Sequence, residues 1–391
     1  PTASVAKTHR IYLDHNATTP VASEVRDVMI AAVELFGNAS SLYAEGRTSQ
    51  KYLEDARRRI ALLLHCTARR IIFTGGGSEA NNLAIKGIAF SGGKKRHIIT
   101  SAIEHPSVLN TCRWLEKQGF EVTCLAPDRE GIVQPQVLER AMRSDTLLVT
   151  IMTANNETGV IQPVKELAAI AHARGSLFHT DAVQAIGKIP MDVNEPDVDL
   201  LSLSGHKFHA SKGIGALYIR KGIPIDALVH GGKQEQNLRA GTENVVGIMG
   251  IGKAAEIALQ NVEAMDRVAK LRDRLELKLC EFVPGAKRNG HKTRRLPNTL
   301  NITLPGIRGE SLVLALDQHG ISCSSGSACR SGSPYPSHAL TAMGLSAEEA
   351  HCSLRLSLGY ENTEEEIDRV IESIGEIINS RKSTIRFVSC R

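Results

Sequence analysis

Lys207 closes an apolar run, at the end of the sequence LLSLSGHK that spans residues 200–207. A glycine-rich turn follows at residues 213–215, so the run predicts a strand that presents a lysine amine at its end. An amine that is desolvated or lies beside another cation has a lowered pKa and becomes a nucleophile able to form a Schiff base. A single lysine in a loop is more often simply exposed, so this assignment depends on residues elsewhere.

Two upstream features fit the same chemistry. Residues 75–78 read GGGS between a predicted strand and a predicted helix, a form that can bind phosphate. The run does not fit the dinucleotide or nucleoside-triphosphate fingerprints, and a plain turn capped by Ser78 is the alternative. Asp181 follows a predicted buried strand, either as a helix cap or as the partner of a protonated pyridine nitrogen. A phosphate site, a pyridinium partner and a Schiff-base amine together are what pyridoxal phosphate requires.

Two further residues could act on a substrate. His105 follows a predicted strand and could stack on a flat ring and move protons, although a structural histidine is the alternative. Arg355 lies in SLRLSL, where it is either part of a solvated strand face or a fork for a substrate carboxylate.

A run of small residues contains two cysteines. Residues 322–333 read SCSSGSACRSGS, which predicts a mobile loop. Cys329 precedes Arg330 and could have a depressed pKa and real nucleophilicity, or it is an incidental surface thiol. The spacing from Cys323 to Cys329 does not resemble a zinc site, so we expect no metal.

The composition narrows the function classes. The chain has 391 residues, 42% hydrophobic and 23% charged, with a net charge of +5 and 4% aromatic residues. This composition is that of an ordinary globular protein, and it does not suggest nucleic-acid binding. No apolar stretch approaches the length of a membrane span and no secretory signal is visible, so we expect no membrane association. Eight scattered cysteines fit a reducing cytoplasm.

Alternating elements must position these residues. Apolar runs recur at residues 97–100, 122–125, 147–152, 177–178 and 200–203, with helical patterns between them. This spacing predicts βαβ units and a mostly parallel sheet, whose sites lie at the carboxyl ends of its strands. Ser78, His105, Asn156, Asp181 and Lys207 all follow predicted strand ends.

The second half of the chain changes character. Residues 247–283 read as one long charged helix leading into a second domain, and residues 298–304 and 353–358 alternate like strands. A capping box at residues 363–366 begins an amphipathic C-terminal helix. We predict a large cofactor-binding domain at residues 14–258 and a smaller domain from residues 1–13 and 259–391. The smaller one carries the cysteine loop, about residues 322–336.

The chain resembles the group I cysteine desulfurases, enzymes of the class V aminotransferase-like, fold type I architecture. The resemblance runs nearly end to end through several motifs in one order: YLD (12–14), ATTP (17–20), ANNETG (154–159), HTDAVQ (179–184), SGHK (204–207), RAGTEN (239–244), SSGSAC (324–329) and LRLS (354–357). It implies an α/β fold with a mostly parallel seven-stranded sheet sandwiched by helices, plus a smaller α+β domain. It also implies a homodimer with sites near the interface.

The resemblance implies a role for each matching residue. Lys207 would bind pyridoxal phosphate covalently, Asp181 would pair with its ring nitrogen, and His105 would stack on the ring. Gln184 would bond the ring hydroxyl, while Asn156 and Arg355 would hold the substrate carboxylate. Cys329 would carry the persulfide. The residues implied to hold the phosphate are Gly77, Ser78, Ser204, His206 and Thr242, the last one reaching in from the partner subunit.

The chain also departs from the family pattern. Ser78 stands where threonine is usual, and Ala210-Ser211 stand where glycine and proline are usual, so we expect a looser loop after Lys207. Lys233 and Gln236 replace a glycine and an arginine, and Arg330 follows Cys329 where threonine or serine is common. The changes at residues 233 and 236 bear on substrate entry or partner choice more than on the central chemistry.

The sequence therefore predicts a cytoplasmic enzyme that removes sulfur from L-cysteine, giving L-alanine and a persulfide on Cys329. The sulfur would pass to an acceptor such as an iron–sulfur scaffold protein or a thiolation pathway. Selenocysteine lyase is the nearest alternative and a pyridoxal-phosphate aminotransferase a more distant one. A catalytically degenerate scaffold for sulfur-transfer partners is the alternative of another class.

Overall fold

The computed structural model describes residues 10–195, 197–325 and 335–388, with side chains to residue 380. Cys329 and Arg330 lie outside the described residues. The strands are β1 (Ile11–Tyr12), β2 (Ile71–Thr74), β3 (His97–Ser101), β4 (Glu121–Leu125), β5 (Thr146–Thr150), β6 (Leu177–Asp181), β7 (Leu200–Ser204), β8 (Gly215–Ile219), β9 (Lys287–Arg288), β10 (Thr299–Thr303), β11 (Ile321–Ser322) and β12 (Ser353–Ser357). The α-helices are α1 (Ser23–Ala32), α2 (Ala44–Leu63), α3 (Gly77–Phe90), α4 (Pro106–Glu116), α5 (Pro135–Ala141), α6 (Val164–Ala173), α7 (Val245–Asn261), α8 (Met265–Phe282), α9 (Gly309–Gln318), α10 (His338–Ala342), α11 (Ala347–His351) and α12 (Glu364–Val388).

The chain divides into two compact units. The larger unit comprises residues 18–156 and 160–263, and the smaller comprises residues 10–17, 157–159 and the described residues from 264 onward. This division rests on packing alone. That the chain has two folding domains with the bounds given above stays a prediction.

A seven-stranded sheet forms the centre of the larger unit, in the order β2-β8-β7-β6-β5-β3-β4. The pairs from β4 through β7 are parallel, and β8 is antiparallel to both β7 and β2. The mostly parallel seven-stranded sheet is confirmed. The antiparallel pairing of β8 with β7 was not predicted, because a run of five residues such as 215–219 does not by itself specify its partner strand.

Alternating strand residues bury the two faces of this sheet. Ile99 and Val149 pack in a core with α2, α6 and α7, while their neighbours Ile98 and Leu148 pack in a second core with α3 and α4. Because side chains alternate across a strand, a strand buried on both faces reads as a continuous apolar run. The sheet is therefore covered by helices on both faces.

The predicted single helix at residues 247–283 is two helices. A 3-10 turn at Val262–Ala264 separates α7 from α8. The stretch Val245–Phe282 is long and apolar enough to cross a membrane by length and composition, which corrects the expectation that no such stretch exists. Half of its apolar window is buried, as in a core helix, and α7 packs on α1 and α2.

The smaller unit is an α+β structure. Its antiparallel sheet has the order β12-β10-β9, and β1 pairs with β11 in parallel. Helices α8, α9 and α12 cover its core, which includes Leu275, Leu312, Leu354 and Ile374. The predicted capping box is present at the start of α12, where Thr363 and Glu366 each accept a hydrogen bond from the other's backbone N–H.

Candidate active site

Lys207 ends a short turn at the carboxyl end of the central strand β7. All five residues of β7 are buried, and the 3-10 turn Gly205–Lys207 follows directly. Ser211 is half-buried and Lys212 is exposed, and a looser loop after Lys207 stays a prediction. Ala210 is buried and its N–H donates to the Gly205 carbonyl at 3.0 Å. Alanine serves here because its methyl group fills the space beside Gly205.

His206 lies in an electropositive, partly dehydrated position. Burial, together with the charges of Lys207, Lys212 and Lys188, lowers the pKa of its imidazole to about 4. Its Nδ1 lies 3.1 Å from Thr18 Oγ1. His206 is therefore neutral at ordinary pH, and nearby cations give the position a positive potential suited to an anion.

Asp181 ends strand β6 with both carboxylate oxygens in hydrogen bonds. Oδ1 accepts from the Val183 backbone N–H at 2.9 Å, and Oδ2 accepts from Asn81 Nδ2 at 2.7 Å. Asn81 lies on α3, so this contact joins the helix to the strand end. The two bonds fix the plane of the carboxylate. Asn81 has no motif that marks it in the sequence, although a polar side chain at a buried helix position is a usable signal.

The glycine turn is held close to two other strand ends. Helix α3 begins at Gly77, and its N-cap Gly76 has φ +148 and no side-chain cap. A Cβ on Gly77 would lie 2.8 Å from Val183 Cγ2 and 3.2 Å from Ser204 Cβ. Only glycine lets the helix terminus approach the ends of β6 and β7 this closely. An uncapped N-terminus of a 14-residue helix beside Ser204 is a suitable phosphate site.

Charges around this turn are balanced. Glu79 accepts from the Gly75 N–H at 2.8 Å and from Arg239 Nε at 2.9 Å. Arg239 thus neutralises the acid in the first turn of α3. Thr242 and Arg239 line a cavity of about 180 Å³ with Gly75. Whether Thr242 serves a partner's site stays a prediction.

The other predicted residues of the larger unit also occupy defined positions. His105 caps α4, and its Nδ1 accepts from the Ser107 N–H at 3.2 Å. Gln184 is buried, and its Oε1 accepts from the buried Lys188 at 2.7 Å. Asn156 is half-buried, next to the backbone bridge between Ala154 and Ile161.

Arg355 lies in the smaller unit and is buried, not on a solvated strand face. Its side chain is 1% exposed, and Nη2 donates to Asp14 Oδ1 at 2.7 Å. Its backbone pairs with Ser324, in the described first residues of the cysteine loop. In the sequence, Asp14 belongs to the YLD motif (12–14) and has no other distinguishing feature. Its contact with Arg355, 341 residues away, has no local signal in the sequence.

Cys323 is not a reactive thiol. It is buried, and burial with the nearby Asp14 charge raises its pKa to about 12. The thiolate is the nucleophilic form, so this cysteine is inert at neutral pH. Of the two cysteines in the run, Cys323 is excluded as the nucleophile.

The departures at residues 233 and 236 lie on the surface. Gln236 is exposed, and its side chain donates to the Arg69 carbonyl at 3.0 Å. Lys233 is exposed as well. No group of three or more His, Cys, Asp or Glu residues that could hold a metal occurs within the described ranges.

Comparisons with known proteins agree on one family. The class-V aminotransferase family model matches residues 11–370. The cysteine desulfurase IscS of Methanosarcina thermophila is 53% identical over 376 residues, which covers 95% of this chain and 93% of that protein. A solved NifS-like protein superposes with a TM-score of 0.89 at 41% identity, covering 95% of this chain and 100% of its own. The structure of SspA in complex with cysteine has a TM-score of 0.80 at 38% identity, covering 90% and 100%.

Proposed function

The chain belongs to the class-V aminotransferase family and is a cysteine desulfurase that depends on pyridoxal phosphate, and we propose that Lys207, Asp181 and Cys329 carry its chemistry. The relatives favour neither selenocysteine lyase nor a degenerate scaffold. The observation that supports the assignment of Lys207 and Asp181 is the meeting of β6, β7 and α3. There Gly77 lies against Val183 and Ser204. Val183 is two residues after Asp181, and Ser204 is three residues before Lys207.

The residues present fit the cofactor. The uncapped α3 terminus, Ser78, Ser204 and the neutral His206 would hold its phosphate. Asp181 would hold the ring nitrogen, and Gln184 would donate from its amide nitrogen to the ring oxygen. When bound, pyridoxal phosphate supplies a ring that withdraws electrons from the Cα of the amino acid.

The chain's own groups do the rest. The Lys207 amine takes the Cα proton of L-cysteine, and Arg355 with Asn156 binds its carboxylate. The Cys329 thiolate attacks the substrate sulfur. The new S–S bond forms as the Cβ–S bond breaks, the electron pair of the broken bond goes to Cβ, and Cβ takes a proton. Cα regains the proton that Lys207 removed, so that alanine leaves and Cys329 holds a persulfide.

We further propose that the enzyme is a cytoplasmic homodimer that passes its sulfur to an acceptor protein such as an iron–sulfur scaffold. Phe36 and Leu42 are 84% and 90% exposed, and such apolar residues favour burial by a second copy. The six described cysteines are free thiols, as a reducing compartment preserves them.

The central test is spectroscopic. The purified protein with pyridoxal phosphate should show a visible absorption band that changes when L-cysteine is added, with alanine as the product. Lys207→Ala should abolish the band, because the covalent bond to the protein cannot form. If Lys207→Ala retained the band of the wild type, the central assignment would be wrong.

A further inference from the structure

Asn81 lies between Asp181 and a second polar side chain, Ser107. It is 1% exposed, and its Nδ2 donates to Asp181 Oδ2 at 2.7 Å and to Ser107 Oγ at 2.9 Å. An ionised carboxylate only accepts hydrogen bonds, so the amide nitrogen and not the oxygen must face Asp181. Both protons of the Asn81 amide are therefore committed, one to each neighbour.

Ser107 extends this chain of hydrogen bonds to His105. Because Ser107 Oγ accepts from Asn81, its own proton is available for His105 Nδ1, 2.8 Å away. The Ser107 backbone N–H points at the same Nδ1 at 3.2 Å, and a backbone N–H can only donate. Nδ1 is thus an acceptor, and the proton of the neutral imidazole resides on Nε2.

The oxygen of the Asn81 amide is in a different situation from its nitrogen. Asn81 Oδ1 is buried and has no hydrogen-bond partner among the described residues. An unsatisfied buried oxygen costs free energy that an apolar side chain at the same place would avoid. The two donated bonds are the interactions that offset this cost.

We propose that Asn81 and Ser107 form a relay that joins Asp181 to His105, holding the carboxylate plane and setting the ring proton of His105 on Nε2. The inference rests on the proposed function, in which Asp181 would pair with the nitrogen of the cofactor ring and His105 would stack on the same ring. Asn81 and Ser107 are positioning residues, since they act through their neighbours. Through the relay, a change in hydrogen bonding at Asp181 alters the hydrogen bond that His105 Nδ1 accepts.

A double-mutant cycle on the holoenzyme tests the relay. The variants are Asn81→Ala, Ser107→Ala and the double, with Asn110→Ala on the exposed face of α4 as the control. Two quantities are measured. One is the Kd for pyridoxal phosphate, and the other is the midpoint pH at which the absorbance of the visible band changes in a pH titration. Asn81→Ala should raise the Kd about tenfold, the usual effect of losing one hydrogen bond to a charged group. Ser107→Ala should shift the midpoint while the Kd stays within about twofold.

The double variant decides between a relay and independent contacts. A relay predicts that it behaves like Asn81→Ala alone, whereas independent contacts predict the sum of the two single effects. Additive effects, or a wild-type midpoint in both single variants, would overturn the proposal.

Two further measurements keep the outcomes distinct. Ser107→Thr, which keeps the hydroxyl, should restore the wild-type midpoint, and this pair decides the matter if Asn81→Ala does not fold. A midpoint that shifts equally in Ser107→Ala and Ser107→Thr contradicts the relay. A wild-type protein without any visible band would instead refute the proposed function.

Discussion

At the scale of single residues, the charged side chains Asp181 and Arg355 are held by hydrogen bonds to neighbouring groups. Asp181 accepts from Asn81 and Val183, and Arg355 is paired with Asp14. A buried charge needs such partners, because desolvation without them would cost several kcal/mol. The pairs also fix the orientation of the groups that meet the substrate.

Cys329→Ser should keep the visible band and lose alanine production, since a serine hydroxyl cannot take up sulfur as a thiolate does. Two other cysteines are matched controls: the buried Cys323, whose pKa is raised to about 12, and the exposed Cys124. Serine at either control position should leave turnover within about twofold of wild type. Undiminished turnover in Cys329→Ser would show that another group is the nucleophile.

Arg355→Ala should raise KM for L-cysteine by about 10- to 100-fold, the range expected for a lost charge-assisted pair with a carboxylate. It should also lower kcat, because a misplaced substrate reacts more slowly. Arg355→Lys keeps the charge without the fork, so it should recover only part of the loss. Steady-state kinetics measure both constants, and unchanged values in Arg355→Ala would return this arginine to a structural role.

At the scale of elements, side-chain hydrogen bonds stabilise β2, the edge strand that leads into the glycine turn. Glu235 accepts from the Phe73 N–H at 2.7 Å and from both terminal nitrogens of Arg57, at 2.8 and 2.7 Å. Arg57 also donates to the Ile71 carbonyl at 2.7 Å. These bonds satisfy the outer edge of an edge strand, which would otherwise be open to pairing with another chain.

Backbone strain accompanies this edge contact. Glu235, Gln236 and Asn237 have φ of 45°, 58° and 66°, in the region that side chains other than glycine avoid. Such residues persist only where their surroundings hold them, and the buried Arg57–Glu235 pair does so here. The sequence of this segment gives no sign of that conformation, because the stabilising partner comes from helix α2.

A buried histidine on β6 makes the stability of the protein depend on pH. His179 on β6 bonds Thr150 on β5 at 2.7 Å and Ser202 on β7 at 2.9 Å, and burial lowers its pKa from 6.5 to about 3. Between pH 6.5 and about pH 3, His179 is therefore mostly protonated in the unfolded chain and mostly neutral in the folded protein. Stability present above that pH is lost progressively as the pH falls toward the folded pKa.

The free energy of unfolding should thus fall by about 3 kcal/mol between pH 7 and pH 4 from this residue alone. Urea unfolding of the apoprotein at several pH values measures the slope. His179→Gln should be less stable at pH 7 but should show a flatter dependence on pH. An equal slope in both proteins would contradict the assignment to His179.

At the scale of the whole molecule, the predicted dimer has a decisive test in mixed subunits. One protomer carries Lys207→Ala and the other Thr242→Ala, each with its own purification tag. If Thr242 completes the partner's phosphate site, the mixed dimer contains one intact site and should recover about half of the wild-type turnover. The two parent homodimers serve as controls, and both should be impaired. A mixed dimer no more active than its parents would mean that Thr242 serves its own chain.

The sequence by itself determined the family and the alternation of strands and helices as far as β7. The motifs around Asp181 and Lys207 are local, and each βαβ unit follows from short-range patterns of apolar and turn-forming residues. The mostly parallel sheet and the desulfurase family were predictable for that reason.

Only the tertiary structure decided which distant side chains hold the site. The pairs Asn81–Asp181 and Asp14–Arg355 join residues 100 and 341 positions apart, and neither has a spacing that marks it. The packed Ala210 and the inert Cys323 depend likewise on what surrounds them in space. Burial and hydrogen bonding are properties of a neighbourhood that the chain assembles from many elements, so the residue types alone cannot specify them.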